Sequence, residues 1–271
     1  MNISTSKKPA RIQRGIKSLI YDALKRYDLW FFLSKQEIVM RYRRSIIGPF
    51  WISISMSLFI ITIGFLFSNL FKVDIESYLP HLAVSYVVWW LISSSLNEAP
   101  TIYIQSAQLM QEIKINPLIF VFKSILKNLL IFFHHLIIIV MIYLYFDINP
   151  GINFVLGILG LLVVLLNLYF ASIIIAIVGA RYRDVAPMLQ SIVQISFFIT
   201  PITWMPKLLD SDSIFLVLNP FAHFLEITRA PFLGMESEPT SWVASILILL
   251  ILYLTSSRLH IAKQHRIIYW I

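Results

Sequence analysis

The sequence predicts an all-α polytopic membrane protein: six transmembrane helices, an N-terminal amphipathic helix at the membrane interface and a short outer helical pair. Three observations predict it. Of 271 residues, 58% are hydrophobic and 13% charged, with a mean hydropathy of +0.79; a soluble domain carries about 25% charge. Six apolar runs approach the roughly 20 residues that cross a bilayer. Lys and Arg are sorted onto alternate connections between those runs. Such a composition excludes a soluble enzyme, a secreted disulfide scaffold and a disordered chain. With no cysteine, disulfides, iron–sulfur clusters, thiolate zinc sites and Cys nucleophiles are excluded too.

The elements follow in chain order. Residues 1–48 form a cytoplasmic and interfacial region. Its first 14 residues are polar and basic and lack the apolar core of a signal peptide. Over residues 16–44, Ile16, Leu19, Ile20, Ala23, Leu24, Tyr27 and Trp30 recur at three- and four-residue spacing, with Lys17, Lys25, Arg26 and Lys35 between them. That is an amphipathic helix lying in the interface plane, against membrane lipid. Residues 49–258 hold the six spans: Phe50–Leu70, Leu79–Leu96, Leu118–Phe146, Ile152–Val178, Pro187–Met205 and Trp242–Ser257. Lys123 and Lys127, near the start of the long third span, are expected to snorkel toward water. The stretch 97–117 carries a short helix around Ser106–Ile115, ended by Asn116-Pro117. The stretch 206–240 is too short for two spans and too apolar for a free loop, so a re-entrant helical pair shielded by protein is expected. Residues 259–271 form a tail. Ser53–Ser57 and Ala176–Ala180 have the small-residue spacing that permits close helix contact.

Charge gives the orientation. Nineteen Lys and Arg fall on the side of the N-terminal region, and three (Lys72, Lys207 and Arg229) on the other. By the positive-inside rule both termini are cytoplasmic, which an even number of spans allows. The net charge of +8 is thus a topological feature, and no nucleic-acid partner is expected.

Catalytic motifs are sparse. There is no phosphate-binding G-x-x-x-x-G-K-[ST] run, so the chain cannot hydrolyse ATP alone. There is no G-x-S-x-G and no H-E-x-x-H, and no metal site is expected. Asp210-Ser211-Asp212 looks like a nucleotide-sugar D-x-D but falls on the outer side, and reads as a solvated loop. His134 and His135 lie about 100° apart on a helix, cannot face one site, and read as packing residues. Arg181-Tyr182-Arg183-Asp184 reads as a basic loop. The span centres are nearly free of charge, which argues against ion-coupled transport. They are rich in aromatics: Trp51, Phe59, Tyr86, Trp89, Trp90, Phe197 and Phe198 are candidates for a path in which sugar rings stack.

Several segments together resemble the membrane subunits of type-2 ABC exporters, most closely those for O-antigen and related lipopolysaccharide-type polysaccharides. Residues 41–51, Arg41-Tyr42-Arg43-Arg44-Ser45-Ile46-Ile47-Gly48-Pro49-Phe50-Trp51, resemble the family's basic R-Y-x-x-x-x-L-G-x-x-W entry, with Ile47 in place of Leu. Asn219-Pro220-Phe221 followed by Arg229 resembles its outer N-P segment, and Arg266-Ile267-Ile268-Tyr269-Trp270 its R-I-A-Y-W ending. The resemblance implies a permease that is not itself an enzyme, in the bacterial inner membrane. It implies a homodimer with two copies of a separate ABC ATPase subunit, which holds ATP and Mg; this chain binds no cofactor. The substrate implied is a polysaccharide on a polyprenyl diphosphate. Residues 97–117 would be coupling and gate helices, with Gln111, Glu112 and Lys114 on the ATPase. Arg41, Arg43 and Arg44 with Ile47-Gly48 would form the diphosphate entrance. Phe215, Phe221, His223 and Arg229 would form the outer gate. Capsular polysaccharide, teichoic acid and small-molecule exporters share the fold and stand as alternatives. A membrane enzyme acting on lipid-linked sugars is a more remote one.

Overall fold

The computed structural model describes residues 16–45, 47–48, 50–113, 115–208 and 213–271. Lys114 and the Asp210-Ser211-Asp212 triplet lie outside them.

The expected N-terminal helix is two: α1 (Ile16–Lys25) and α2 (Tyr27–Tyr42), broken at Arg26, whose ψ of 39° leaves the helical region. Their inner face is Ile16, Ala23 and Ser34, all buried. Trp30 stacks on Phe122 at 5.7 Å, and the Asn116 amide donates to the Leu19 carbonyl at 2.7 Å. The outer face exposes Tyr21, Tyr27, Phe31, Phe32, Val39 and Met40, an apolar surface suited to lipid.

The spanning helices are α3 (Phe50–Phe71), α4 (Ile75–Glu98), α7 (Leu118–Phe146), α8 (Asn153–Arg181) and α12 (Pro239–Lys263). Each is long and apolar enough to cross a membrane. At the end of α4, a 3₁₀ turn (Ala99–Thr101) and α5 (Ile102–Gln105) extend it into one 31-residue run, Ile75–Gln105. Then comes α6 (Ala107–Glu112), shorter than the sequence suggested. α4 is the most enclosed span, packed by α3, α7, α8 and the helix Val185–Ile199.

The fifth apolar run behaves differently. Its helix, α9 (Val185–Ile199), has 15 residues, about 22 Å at 1.5 Å per residue. That is short of a bilayer core of about 30 Å. Thr200, at ψ 140°, is extended because the residue before a proline avoids the helical region. Residues 200–203 are irregular but buried, the condition under which non-helical backbone is tolerated at membrane depth. A 3₁₀ turn (Pro206–Leu208), α10 (Ile214–Val217) and α11 (Pro220–Phe232) follow, and α13 (Ile267–Trp270) closes the tail.

α11 is held down on α8 by glycines. A Cβ on Gly157 would sit 2.6 Å from the Phe232 ring, and one on Gly160 would sit 2.1 Å from the Ile227 carbonyl oxygen. Gly179 gives Pro100 the same close approach. Close backbone contact therefore comes from glycine, in addition to buried Ala176 and Ala180. Gly160→Leu is expected to destabilise by about 1–3 kcal/mol. A thermal melt of the purified chain in detergent should fall by several degrees; an unchanged melt would contradict this packing.

Candidate functional site

The turn between α2 and α3 is the first component. Gly48 has φ +62° and open space around it, and its N–H donates to Ser45 Oγ at 3.0 Å. Only glycine adopts that backbone without strain. Arg41, Arg43, Arg44 and Ile47 are all exposed around the turn. None of these arginines pairs with a carboxylate among the described residues. Three uncommitted guanidiniums on one turn suit an anion with several oxygens.

The second component is aromatic. Phe59 of α3 stacks on Tyr86 of α4 with centroids 4.6 Å apart. Tyr86 and Trp89 each lie 6.0 Å from Phe197 of α9, and Trp89 meets Phe221 of α11 edge-on at 5.4 Å. Phe198 follows at 5.3 Å from Phe197 and is exposed. The structure thus brings five expected aromatics together and adds Phe221, expected only at the outer gate. Trp90 is not among them. One position on from Trp89, it points to the other side of α4 and packs on His135 at 4.4 Å. His135 Nδ1 is 2.8 Å from Ser53 Oγ, so this histidine serves helix packing. Trp51 stands apart, exposed at the start of α3.

The opposite end is built around α11. Asn219 caps it, accepting from Phe221 N–H at 3.0 Å while donating to Thr200 Oγ1 at 3.0 Å. His223 Nε2 donates to the Val217 carbonyl at 3.0 Å, which leaves Nδ1 to accept from Ser241 at 3.1 Å. Arg229 is buried. It pairs with Glu226 at 2.7 Å and donates to the Pro201 carbonyl at 2.8 Å, with Ser85 Oγ at 3.4 Å. His223 and Arg229 are therefore braces beneath this end. Phe215 is exposed and lines a groove of about 340 Å³ with Ile199, Leu218 and Phe221.

Of the residues expected to meet an ATPase, Gln111 donates to the Ile271 carbonyl at 3.1 Å. Glu112 accepts from Gln108 at 3.0 Å. Arg181 lies 5.4 Å from the Trp270 ring, so the tail packs between α6 and α8.

The lysines of α7 do not snorkel. Glu37 Oε2 lies 2.6 Å from Lys123, and its Oε1 2.6 Å from Lys127, which also pairs with Glu98. The sequence carried a signal for this: Lys123 and Lys127 share a helical face, as do Trp30, Ser34 and Glu37. What it did not show was that the two faces meet. Burial pushes the Glu37 carboxyl up, but hydrogen bonds from Lys123 and Lys127 outweigh that and hold it below its ordinary value of 4.5. A lowered carboxylate adds stability above its unfolded pKa and loses it as pH falls through the folded one. Glu37→Gln is therefore expected to melt lower than the parent at pH 7, by about 2–4 °C for a loss of about 1 kcal/mol. The gap should close below pH 4.5; a gap constant with pH would contradict the pairing.

Residues 28–233 match the family described as "ABC-2 type transporter". The chain belongs to that family. Two curated relatives are O-antigen export system permease proteins RfbA of Klebsiella pneumoniae, 22% and 21% identical over 210 residues. Each match covers 77% of this chain and 81% of the relative. The ABC-2 type chain is thus a multi-pass transporter membrane subunit, and membership implies an ABC ATPase partner.

Proposed function

We propose that this subunit exports a polyprenyl-diphosphate-linked polysaccharide, O-antigen above all, across the bacterial inner membrane. Two copies form the path, with both termini in the cytoplasm, α9 and the buried irregular residues 200–203 together completing the sixth crossing. Two copies of the ABC ATPase dock beneath, each with ATP and Mg. The similarity to O-antigen permeases supports the substrate class, and the nineteen-to-three split of Lys and Arg supports the orientation.

One observation carries the reading. α3 and α9 flank α4, and each turns a mixed polar and aromatic stripe out of the bundle. On α3 the exposed stripe is Trp51, Ser55, Leu58, Thr62, Phe65 and Asn69, at alternating four- and three-residue spacing. On α9 it is Gln190, Ser191, Gln194 and Phe198. Asn69, Ser55 and Ser191 bond carbonyls of their own helices, but the exposed amides of Gln190 and Gln194 have no partner among the described residues, so the α9 surface fits a wet path better than hydrocarbon. Aromatic faces stack on the apolar faces of sugar rings, and uncharged amides and hydroxyls exchange hydrogen bonds with sugar hydroxyls. Neither holds one sugar permanently, which suits a polymer that slides.

The mechanism follows from the parts. Arg41, Arg43 and Arg44 receive the diphosphate beside Gly48. ATP closes the ATPase dimer, which moves α6 through Gln111, Glu112 and Lys114. The path opens, the lipid-linked end enters, and the glycan follows along α3 and α9 to the outer gate near Phe215 and Phe221.

Replacing Gln190 and Gln194 together with Leu is expected to slow ATP-driven glycan export in proteoliposomes about tenfold, or about 1.4 kcal/mol of barrier, with assembly intact. If the stripe faces lipid, leucine leaves transport unchanged, and the path assignment fails. Arg41, Arg43 and Arg44 changed together to Gln should raise the half-saturating concentration of lipid-linked substrate at least tenfold; an unchanged value would remove the entrance.

A further inference from the structure

We propose that Lys127 is a positioning residue that ties the interface helix α2 to the α5–α6 segment, so that a displacement of α6 is carried to α2. The proposal rests on the reading of α6 as the ATPase contact.

Four charged side chains from three helices meet at one place. Lys127 is 2% exposed, and its ammonium takes Glu37 of α2 and Glu98 of α4 at once. Lys123, one turn earlier on α7, takes the other oxygen of Glu37 at 2.6 Å. The second oxygen of Glu98 accepts from Asn128 at 3.2 Å. Asn128 is within 3.4 Å of Ser95 Oγ. Next to Glu37 on the same face of α2, buried Ser34 donates to the Lys123 carbonyl at 2.8 Å. Two positive and two negative charges leave the cluster neutral.

The place of Glu98 gives the cluster its mechanical meaning. It is the last residue of α4, and the helical run continues past it to Gln105, next to α6. A tilt of α5 and α6 therefore moves the Glu98 carboxylate. The ammonium that follows it also holds Glu37, and through it α2.

Charge suits this task better than apolar packing. A well-packed apolar core of the same volume is often as stable as a buried ion pair or more so. Apolar packing, however, has one best fit and loses contact over a small displacement. A lysine ammonium is a compact point charge on a flexible four-carbon stem, and it keeps both carboxylates through a shift. The cluster is also graded in burial. Lys127 is sealed, whereas Glu37 is 29% exposed at the rim.

The test uses the full chain assembled with its ABC ATPase subunit. The chain has no native cysteine, so one nitroxide can be placed on exposed Gln36 of α2 (Gln36→Cys) or, in a separate chain, on exposed Gln108 of α6 (Gln108→Cys). Each label's spectrum is compared with and without ATP. The comparison is with a neutral variant, Glu37→Gln, Glu98→Gln, Lys123→Met and Lys127→Met together, which removes balanced charges and leaves none unpaired. The expected result is that ATP shifts both labels in the parent. In the neutral variant the α6 shift remains and the α2 shift is lost. If α2 still shifts in the neutral variant, the cluster is only a brace and the proposal is overturned. If the variant does not assemble, the single change Lys123→Met, which keeps Lys127 between its two acids, must retain both shifts; loss of the α2 shift there overturns Lys127 as the link. If α6 itself does not respond to ATP in the parent, the coupling reading falls and this proposal falls with it.

Discussion

A charge inside this bundle has no water to turn to, and the buried charges of Lys127 and Arg229 each find a carboxylate in the protein. The positions where charge enters therefore decide how the helices are joined. At the basic end, Lys127 binds α2, α4 and α7 together. At the other, Arg229 binds α11 to the carbonyl of Pro201 and approaches Ser85 of α4. Tyr78, also on α4, donates to the Thr203 carbonyl at 2.5 Å. Both charged clusters thus rest on one helix. α4 is the spine, and the segments without a full span of their own, α2 and residues 200–203, are pinned to its two ends.

Apolar run length made the all-α membrane class legible, and helices stand at the N-terminus, near residue 110 and over residues 214–232, where short helices were expected. The departures have local causes. A proline at position 201 shortened the fifth helix, and Pro206 to Leu208 began a new turn where the run was expected to have ended. Lys123 and Lys127 read as snorkelling because their partners lie about 90 and 30 residues away in the chain. No local pattern announces such a meeting. The glycines of α8 were visible, but their fit against Ile227 and Phe232 depends on where α11 lands.

The aromatic candidates show the same limit. Aromatic content marked the right helices, but six similar apolar helices can turn about their axes, and rotation decides which rings meet. Trp89 joins Phe197 and Phe221, while its neighbour Trp90 serves the packing of α3 and α7 on α4. Each polar residue that turns outward on α3 and α9 is, taken alone, unremarkable in a span. Exposure singles out Gln190 and Gln194, whose amides have no partner among the described residues, as a lipid-facing helix would not leave them. Both α3 and α9 pack on α4, where Phe59 and Phe197 meet at Tyr86, and this relates the internal braces to the proposed transport surface.

The measurement that bears most directly on that function is made on cells lacking this chain. Membranes are fractionated, and polyprenyl-diphosphate-linked glycan is assayed on each side. Accumulation on the cytoplasmic side with loss of surface polysaccharide is the expected result. Normal surface glycan with no trapped lipid-linked intermediate would contradict the account and shift it to export of a small molecule.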